Sequence, residues 1–223
     1  MQNVQLTRII RQFKHDVLEL YIKTESLNRQ QNGVYIIYLI KHEIFKNTIM
    51  VNRLIIMLSL EEIVLQVQNC RKCQLWQTST YGVPGEGPVD AKIMFVGQNP
   101  GSEEDKTGKP FIGRAGKFLT KTLAEFGIKR EEVYITNIVK HTSPENRKPY
   151  PDEITACLPY LTQQIALIKP KIIVLLGASA KETPRVEGIK YFEIVHPSAA
   201  MRFTKMREKF KIQISELVQQ IET

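Results

Sequence analysis

The chain has 223 residues, 43% of them hydrophobic, which suits one globular domain with an extension. Its net charge of +8 and pI of about 9.3 favour a polyanionic partner such as a nucleic acid, although many basic proteins bind none. Three cysteines are too few for a disulfide framework, and no apolar run reaches the ~20 residues that span a bilayer, so we expect an intracellular, cytoplasmic protein with no membrane partner.

The first 56 residues differ in character from the rest of the chain. Apolar residues recur there at roughly helical spacing, so the segment is either a genuine helical extension or the product of an over-long gene start. Met50 and Met57 stand just before the first residues of the more regular pattern and slightly favour the second interpretation. We predict an N-terminal extension at 1–56 and one domain at 57–223.

A C-x-x-C pair follows the first helix predicted for the domain. The capping-box-like sequence Ser59-Leu60-Glu61-Glu62 is expected to start that helix, which ends near Asn69. Cys70 and Cys73 come next, and thiolates at this spacing can hold one metal ion or one edge of a cluster. A redox pair or two inactive thiols are the alternatives. A closed site needs four ligands, but Cys157 is the last of the three cysteines.

Short apolar runs alternate with helical patterns through the rest of the domain. Strands are expected at Ile93–Val96, Glu132–Asn137, Lys171–Gly177 and Tyr191–Val195, and helices at Gly116–Phe126, Asp152–Ile168 and Lys205–Ile221. This alternation predicts a three-layer α/β/α sandwich with a mainly parallel central sheet.

Polar residues stand where two of these strands end. The tight turn Gly97-Gln98-Asn99-Pro100-Gly101 follows the first strand, and Asn137 ends the second. In open α/β sheets, ligands bind just past the carboxyl ends of the strands. An amide offers both a donor and an acceptor, so Asn137 is suited to reading the edge of a base. An ordinary strand-to-helix loop and a strand-end cap are the simpler interpretations.

The turn GQNPG, the acidic Glu103-Glu104-Asp105 and the stretch GKPFIGRAG together resemble the first motif block of the uracil-DNA glycosylase superfamily. They are most similar to its iron–sulfur-containing family-4 enzymes, whose turn usually reads GEAPG. Gln98 stands where that family has glutamate, and Asn99 where it has alanine. In branches whose turn has the form G-x-N-P-G, Asn99 matches the water-positioning asparagine. Because adjacent residues of a tight turn are expected to point in different directions, only one of the two should reach that water.

The resemblance covers about Leu58 to Val218 and implies a DNA repair glycosylase that hydrolyses the N-glycosidic bond of uracil after flipping the base out of the stack. It implies catalytic roles for Asn99, Gln98 and His196. It implies that the substrate is bound by Gly97, Phe111, Asn137 and Gly101. It implies contacts with DNA for Arg147, Ser198, Met201 and Arg202. The expected partner is uracil-containing DNA, single- or double-stranded, bound by a monomer.

Two further motifs carry these assignments. The sequence HPSAAMR, which begins at His196, resembles the closing motif of the family, whose histidine faces a uracil carbonyl and whose loop enters the minor groove. The sequence SPENRKP resembles the family's P-P-x-N-R-x-P loop, with Ser143 in place of the first proline. That loop is basic and stiff, which suits Arg147 to a backbone phosphate.

The resemblance also completes the set of metal ligands. In family 4 a cysteine follows a T-N-x-V-K segment, and another comes sixteen residues later. Here Thr136–Lys140 reads TNIVK and is followed by His141, with Cys157 sixteen residues further on. The resemblance therefore implies a 4Fe–4S cluster on Cys70, Cys73, His141 and Cys157, because imidazole can replace thiolate on iron. By spacing alone, three cysteines and one histidine are equally typical of zinc.

Departures from the family leave a second function open. The turn lacks the family's glutamate at Gln98, and the segment between Gly177 and His196 is shorter than in the family. The alternative is a non-catalytic paralogue that binds uracil or single-stranded DNA and carries an iron–sulfur or zinc site. Covalent crosslinking to the abasic sugar is disfavoured, since the basic histidine-bearing insertion of the crosslinking branch is absent.

Overall fold

The computed structural model of the chain describes residues 52, 56–57 and 59–222. The predicted extension at 1–56 lies almost entirely outside these residues, so the division at residue 56 stays a prediction. Residues 59–68 form helix α1, and residues 56–57 before it are also helical. Ser59 therefore lies inside a helix, and the helix start predicted at its capping box is wrong.

A four-stranded sheet forms the centre of the domain. Its strands are β1 (Ile93–Gly97), β2 (Tyr134–Asn137), β3 (Ile172–Leu176) and β4 (Lys190–Ile194). They lie in the order β2-β1-β3-β4, and all three neighbouring pairs are parallel. Strands β1, β2 and β3 are buried along their whole length, which explains why β1 and β3 appear as unbroken apolar runs rather than alternating ones.

Helices connect and cover these strands. They are α2 (Ser102–Thr107), α3 (Arg114–Glu125), α4 (Pro151–Ile168), α5 (Pro197–Arg202) and α6 (Thr204–Glu222). Helix α4 begins one residue before the predicted cap Asp152, because the Glu153 carboxylate accepts the backbone N–H of Tyr150 at the N-cap. The closing motif is a short helix, α5, where a loop was expected.

Two apolar cores lie on opposite faces of the sheet. Met94 and Val96 pack with α1 and α4 on one face, whereas Phe95 between them packs with α3 and α6 on the other. Burying a side chain of this size contributes about 1.5–3 kcal/mol, so both helical layers are held by the strand's alternation. The predicted three-layer α/β/α sandwich is confirmed.

Because all the strands are parallel, their carboxyl ends lie along one edge of the sheet. Gly97 and Asn137, the last residues of β1 and β2, are paired in register. His196 follows β4 at the same edge and is the N-cap of α5. No helix in the described part of the chain is both long and apolar enough to cross a membrane.

Candidate active site

A cavity of about 710 Å³ opens at the carboxyl edge of the sheet. The predicted site residues in its lining are Gln98, Asn99, Gly101, Phe111, Asn137, His196, Ser198, Met201 and Arg202. The lining also contains residues that were given no role from the sequence, among them Glu104, Arg114 and Asn146. Segments far apart in the chain therefore meet at one site.

Gly97 lies where a side chain would fill the space between two site residues. A Cβ atom built on it would lie 2.4 Å from Asn137 Oδ1 and 2.5 Å from Phe111 Cζ, closer than real Cβ contacts allow. The absence of a side chain at the end of β1 lets the amide and the ring approach the same backbone. Gly97 thus shapes the site, although it is not in the cavity lining.

Asn137 is held through its main-chain oxygen, whereas its side-chain oxygen makes no hydrogen bond with the described residues. Its residue is only 1% exposed, and its side-chain Oδ1 has no hydrogen-bond partner among the described residues. A buried unpaired acceptor costs about 1–3 kcal/mol, and a ligand N–H would recover that energy. The buried Lys140 ammonium donates to the main-chain oxygen of Asn137 at 2.7 Å and to Thr136 and Gln164, which secures the end of β2.

Phe111 is held in an uncommon backbone conformation. Its φ is +50°, a left-handed value that costs energy for a residue with a side chain. The guanidinium of Arg130 donates to the carbonyls of Pro110 at 2.6 Å and Phe111 at 3.2 Å. The ring is 6.2 Å from the His196 ring, centroid to centroid. Arg130 lies outside every motif, so no sequence pattern indicated this contact.

Glu104 joins the GQNPG turn to the loop that carries Phe111. Its carboxylate accepts the backbone N–H groups of Gly101 at 3.1 Å, Ile112 at 2.9 Å and Gly113 at 2.8 Å. Hydrogen bonds to an ionised group are among the stronger ones in proteins. The EED motif could have indicated this role, because a glutamate three residues after a helix N-cap is typical of capping.

The side chains of Gln98 and Asn99 contact each other, so the expectation that they point in different directions is wrong. Gln98 Nε2 donates to Asn99 Oδ1 at 2.8 Å. Asn99 Nδ2 in turn donates to the carbonyl of Pro100 at 3.0 Å and to the hydroxyl of Ser143 at 3.2 Å. Asn99 therefore has both amide hydrogens engaged and one acceptor position of Oδ1 left.

His196 is held as a neutral ring with a defined tautomer. Its Nδ1 accepts the backbone N–H of Ser198 at 3.2 Å and lies 2.7 Å from the Ser198 hydroxyl. Because Nδ1 is an acceptor, the proton of the neutral ring resides on Nε2, which can donate to a ligand. Burial lowers the pKa of His196 and favours this neutral form.

The family of the chain follows from comparison with known sequences. A sequence model described as the uracil DNA glycosylase superfamily matches residues 84–219. The chain belongs to the uracil DNA glycosylase superfamily. A Type-4 uracil-DNA glycosylase of Archaeoglobus fulgidus is 40% identical over 176 residues, which cover 69% of this chain and 88% of that protein.

Two further Type-4 uracil-DNA glycosylases are more similar over shorter regions. The Sulfurisphaera tokodaii protein is 58% identical over 120 residues, covering 53% of this chain and 54% of the relative. The Thermotoga maritima protein is 53% identical over 122 residues, covering 54% and 64% respectively. The chain thus spans about half the length of the Sulfurisphaera protein and most of the length of the Archaeoglobus one.

In this superfamily member, the predicted DNA-binding residues divide into two groups. Ser198, Met201 and Arg202 lie on α5 and line the cavity. Arg147 is not in the cavity lining. Its guanidinium forms a bidentate ion pair with the buried Glu153, at 2.7 and 2.9 Å, and stacks 3.8 Å from the centre of the Tyr150 ring. These contacts give Arg147 a structural role in its loop.

Two of the four predicted metal ligands, Cys73 and Cys157, contact each other, and Cys157 lies on α4. The thiols of Cys73 and Cys157 share a hydrogen bond that lowers the pKa of Cys73 to about 7. The backbone N–H of Lys140, next to His141, points to Cys157 Sγ at 3.5 Å. Cys70 is hydrogen-bonded to the Tyr160 hydroxyl instead. Across residues 59–222, no three potential ligands converge closely enough to hold a metal ion.

His141 supplies the observation that tests this ligand set. It is 4% exposed, and its Nδ1 has no hydrogen-bond partner within the described part of the chain. A buried imidazole nitrogen with no such partner, on the residue that follows Lys140, is chemically suited to a metal or cluster. The donor types therefore fit such a centre, while Cys70 would have to leave Tyr160 to join it.

Proposed function

We propose that this protein is a DNA repair enzyme that hydrolyses the N-glycosidic bond of uracil in DNA. The observation that carries the proposal is the buried Oδ1 of Asn137, which lies beside the Phe111 ring and has no hydrogen-bond partner among the described residues. Uracil presents an imide N–H that can donate to this oxygen. Cytosine has a bare ring nitrogen at that position, so it would leave Oδ1 unsatisfied, and a site built for a hydrogen bond rejects such a ligand strongly.

The cavity supports a flipped base held by stacking and hydrogen bonds. Its volume of about 710 Å³ exceeds that of one pyrimidine and leaves room for the sugar. Flipping costs a few kcal/mol, which stacking on an aromatic ring and contacts at the base edge recover. Phe111 supplies the ring and Asn137 the edge contact.

The leaving uracil becomes an anion, and two sets of donors are placed to stabilise it. His196 donates from Nε2 to a uracil carbonyl, and backbone N–H groups of the GQNPG turn contribute further. Each well-placed donor of this kind lowers the barrier by about 3–4 kcal/mol. A neutral imidazole can fill this role because its Nε2 still carries a proton to donate while Nδ1 accepts from Ser198.

The sugar develops positive charge as the bond to uracil breaks, as in other glycoside hydrolyses. A cationic centre needs an aligned water more than a strong base. The remaining acceptor position of Asn99 Oδ1 can orient that water, and Gln98 holds the Asn99 amide from the other side. Met201 and Arg202 line the cavity. The Met201 side chain is suited to fill the gap that the flipped base leaves in the DNA, and the Arg202 guanidinium is suited to contact a phosphate.

A 4Fe–4S cluster held by Cys70, Cys73, His141 and Cys157 is part of the proposal, with zinc as the alternative. None of these four residues lines the cavity, so the group would act on the fold beside α4 rather than on the base. The relatives named above are Type-4 enzymes, which favours the cluster. Bound there, the cluster or metal ion would connect α4 to the segment after α1 and to the segment after β2.

The test is cleavage of uracil-containing oligonucleotides, single- and double-stranded, analysed on a gel after alkali treatment. We expect strand breaks at uracil for wild type and none for Asn137→Ala purified identically, which controls for contaminating glycosylases. Intact strands with wild type, together with measurable binding, would support the non-catalytic paralogue instead. The replacement of the family's glutamate by Gln98 is the observation that keeps this second function open.

We further propose that the protein acts within the cell as a monomer on DNA. The positive net charge of +8 suits a polyanionic substrate whose phosphates supply most of the affinity. Uracil arises in both paired and unpaired strands, so the assay above uses both forms. Light scattering of the free protein checks the oligomeric state.

A further inference from the structure

We propose that Ser143 is a positioning residue of the site and forms one hydrogen-bonded unit with Gln98 and Asn99. This unit ties the catalytic turn to the loop of residues 143–149. The inference rests on the proposed function, because it assigns how Asn99 is held for the attacking water. Ser143 does not contact the cavity itself and acts through Asn99.

The unit is a continuous series of donors and acceptors. Gln98 Nε2 donates to Asn99 Oδ1 at 2.8 Å, and Asn99 Nδ2 donates to Ser143 Oγ at 3.2 Å. The Ser143 hydroxyl donates to the carbonyl of Arg147 at 2.5 Å. The orientation of each side chain in the series therefore depends on its hydrogen-bonded neighbours.

The end of the series fixes the direction of every member. A main-chain carbonyl can only accept, so the Ser143 hydroxyl must donate to Arg147 and accept from Asn99. A second carbonyl, that of Pro100, accepts from the same Nδ2 at 3.0 Å. The Asn99 amide thus has one possible orientation, with Oδ1 turned towards Gln98, and hydrogen bonds in such a series reinforce one another.

The three members are also the three positions at which this chain departs from the resembled pattern in the turn and loop. The GEAPG turn has glutamate and alanine where Gln98 and Asn99 stand, and the P-P-x-N-R-x-P loop has proline at Ser143. Alanine and proline have no side-chain donor or acceptor, so neither could form these bonds. A glutamate at position 98 would bring a carboxylate against Asn99 Oδ1. The three replacements are therefore one coordinated change.

Ser143 connects the loop of residues 143–149 to the GQNPG turn by hydrogen bonds on both sides. It is 3% exposed, and its main-chain oxygen accepts the N–H of Asn146 at 3.0 Å. Asn146 lines the cavity with a φ of +55°. The same residue therefore holds the loop that forms one wall of the cavity and the amide that orients the water.

The test compares Ser143→Ala, Ser143→Thr, Asn99→Ala and the double variant Asn99→Ala/Ser143→Ala. Under single-turnover conditions with a uracil oligonucleotide, Ser143→Ala should lower the cleavage rate about tenfold and leave the substrate dissociation constant unchanged, as expected when a hydrogen bond that orients a reacting group is lost. Ser143→Thr keeps the hydroxyl and should recover most of the rate. In the Asn99→Ala background, Ser143→Ala should slow cleavage much less than it slows wild type, because only the bond to the Arg147 carbonyl is then lost.

Thr142→Ala is the matched control, because the Thr142 hydroxyl also contacts the turn, at the Pro100 carbonyl at 2.9 Å, but does not touch Asn99. Its effect on the rate should be the same with and without Asn99. If Ser143→Ala slowed the Asn99→Ala variant as much as it slows wild type, Ser143 would act on the loop alone and the proposal would be overturned.

A second measurement does not depend on catalysis. Urea unfolding of wild type, Asn99→Ala, Ser143→Ala and the double variant should show that the two substitutions are not additive, by about threefold to tenfold in the unfolding equilibrium constant, the value of one hydrogen bond. Additive effects would overturn the proposed link. If wild type cleaved nothing while the unfolding cycle showed coupling, the proposed function would fail and the link itself would stand.

Discussion

The amide of Gln98 donates to the amide oxygen of its own neighbour, Asn99, over 2.8 Å. Two adjacent residues of the turn therefore form one unit, and a change at either position alters the hydrogen bonding of the other. The roles of the two cannot be separated by single substitutions alone, because each single variant leaves a partner unsatisfied.

Gln98→Glu tests this coupling directly. A carboxylate at position 98 would face Asn99 Oδ1, and reversing the Asn99 amide would instead set two oxygens together at the Pro100 carbonyl. We expect the single variant to gain little activity or to lose some. The double variant Gln98→Glu/Asn99→Ala restores the GEAPG turn, removes the conflict and should cleave at least about tenfold faster than Gln98→Glu alone, since a carboxylate orients water well. Single-turnover rates measure both.

The single substitutions serve as controls for that pair. Asn99→Ala alone should lower the rate severely, whereas Gln98→Ala should cost less. A large gain from Gln98→Glu with Asn99 intact, and no loss from Asn99→Ala, would show that position 98 alone positions the water. That result would assign this chain the mechanism of a weakened family-4 enzyme.

Gly97→Ala should remove recognition of the base with little effect on the fold. The new methyl group would collide with Asn137 Oδ1 and the Phe111 ring, so at least one of these groups must move. We expect kcat/KM on uracil DNA to fall by about a hundredfold or more, since misplacing groups by about 1 Å has effects of that size.

Gly188→Ala provides the comparison for Gly97→Ala. Gly188 has a φ of +81° but nothing within 4 Å of an added Cβ, so it measures the cost of a strained alanine without a collision. It should lower the melting temperature and leave kcat/KM unchanged. Equal kinetic losses in both variants would argue against a specific role of Gly97.

The sequence predicted most of the fold because the buried parallel strands leave a strong signal. β1 and β3 are apolar along their whole length. β1 ends at Gly97, and Gly177 follows β3. The cavity was likewise predicted in outline, since parallel strands place Gly97 and Asn137 at one edge. Arg130 could not be found in this way, because a guanidinium that binds carbonyls of a distant loop leaves no periodic pattern.

Other failures have equally specific causes. The capping-box pattern at Ser59 also suits a helix interior, and residues 56–57 ahead of it are helical. The contact between Gln98 and Asn99 depends on side-chain torsions that a turn motif does not fix. The ion pair of Arg147 with Glu153 joins the loop to α4 over six residues, and the loop motif did not indicate it; the predicted DNA contact of Arg147 stays a prediction.

Asn137→Ala should abolish uracil excision and leave general DNA affinity near that of wild type. The residue contributes the base-edge acceptor, whereas phosphate contacts supply most of the affinity for DNA. Cleavage and binding are measured on the same labelled oligonucleotide, with thymine in place of uracil for the binding control. Equal losses in both quantities would contradict a base-reading role.

His196 predicts a defined pH dependence of stability. Its pKa in the folded protein lies below the ordinary value of 6.5 because the ring is buried. The unfolded chain therefore takes up a proton more readily, so this contribution to stability is complete above about pH 6.5 and is lost as the pH falls towards the folded pKa. Urea unfolding between pH 5 and pH 8 should show a decline on the acid side that His196→Gln reduces.

The cleavage rate should follow the same protonation. The neutral ring donates from Nε2, and its pKa in the folded protein lies below 6.5. The rate should therefore stay constant as the pH falls through 6.5 and decrease only when the pH reaches this lowered pKa. His196→Gln should be slower at every pH and lack that acid-side decrease. An increase of the wild-type rate on protonation of His196 would mean that the imidazolium, not the neutral ring, stabilises the leaving uracil.

The ligand at position 141 decides between the two metal assignments and can be tested without any cleavage assay. Wild-type protein should be brown and contain iron, and His141→Ala should lose much of that iron because one of four ligands is gone. His141→Cys supplies a thiolate in its place and should retain the cluster at a lower reduction potential, since the thiolate adds negative charge. Iron and zinc analysis, visible absorbance and a redox titration measure these outcomes. A colourless wild type with one zinc per chain would keep the same four ligands and replace the cluster, while iron content unchanged in His141→Ala would remove His141 from the set.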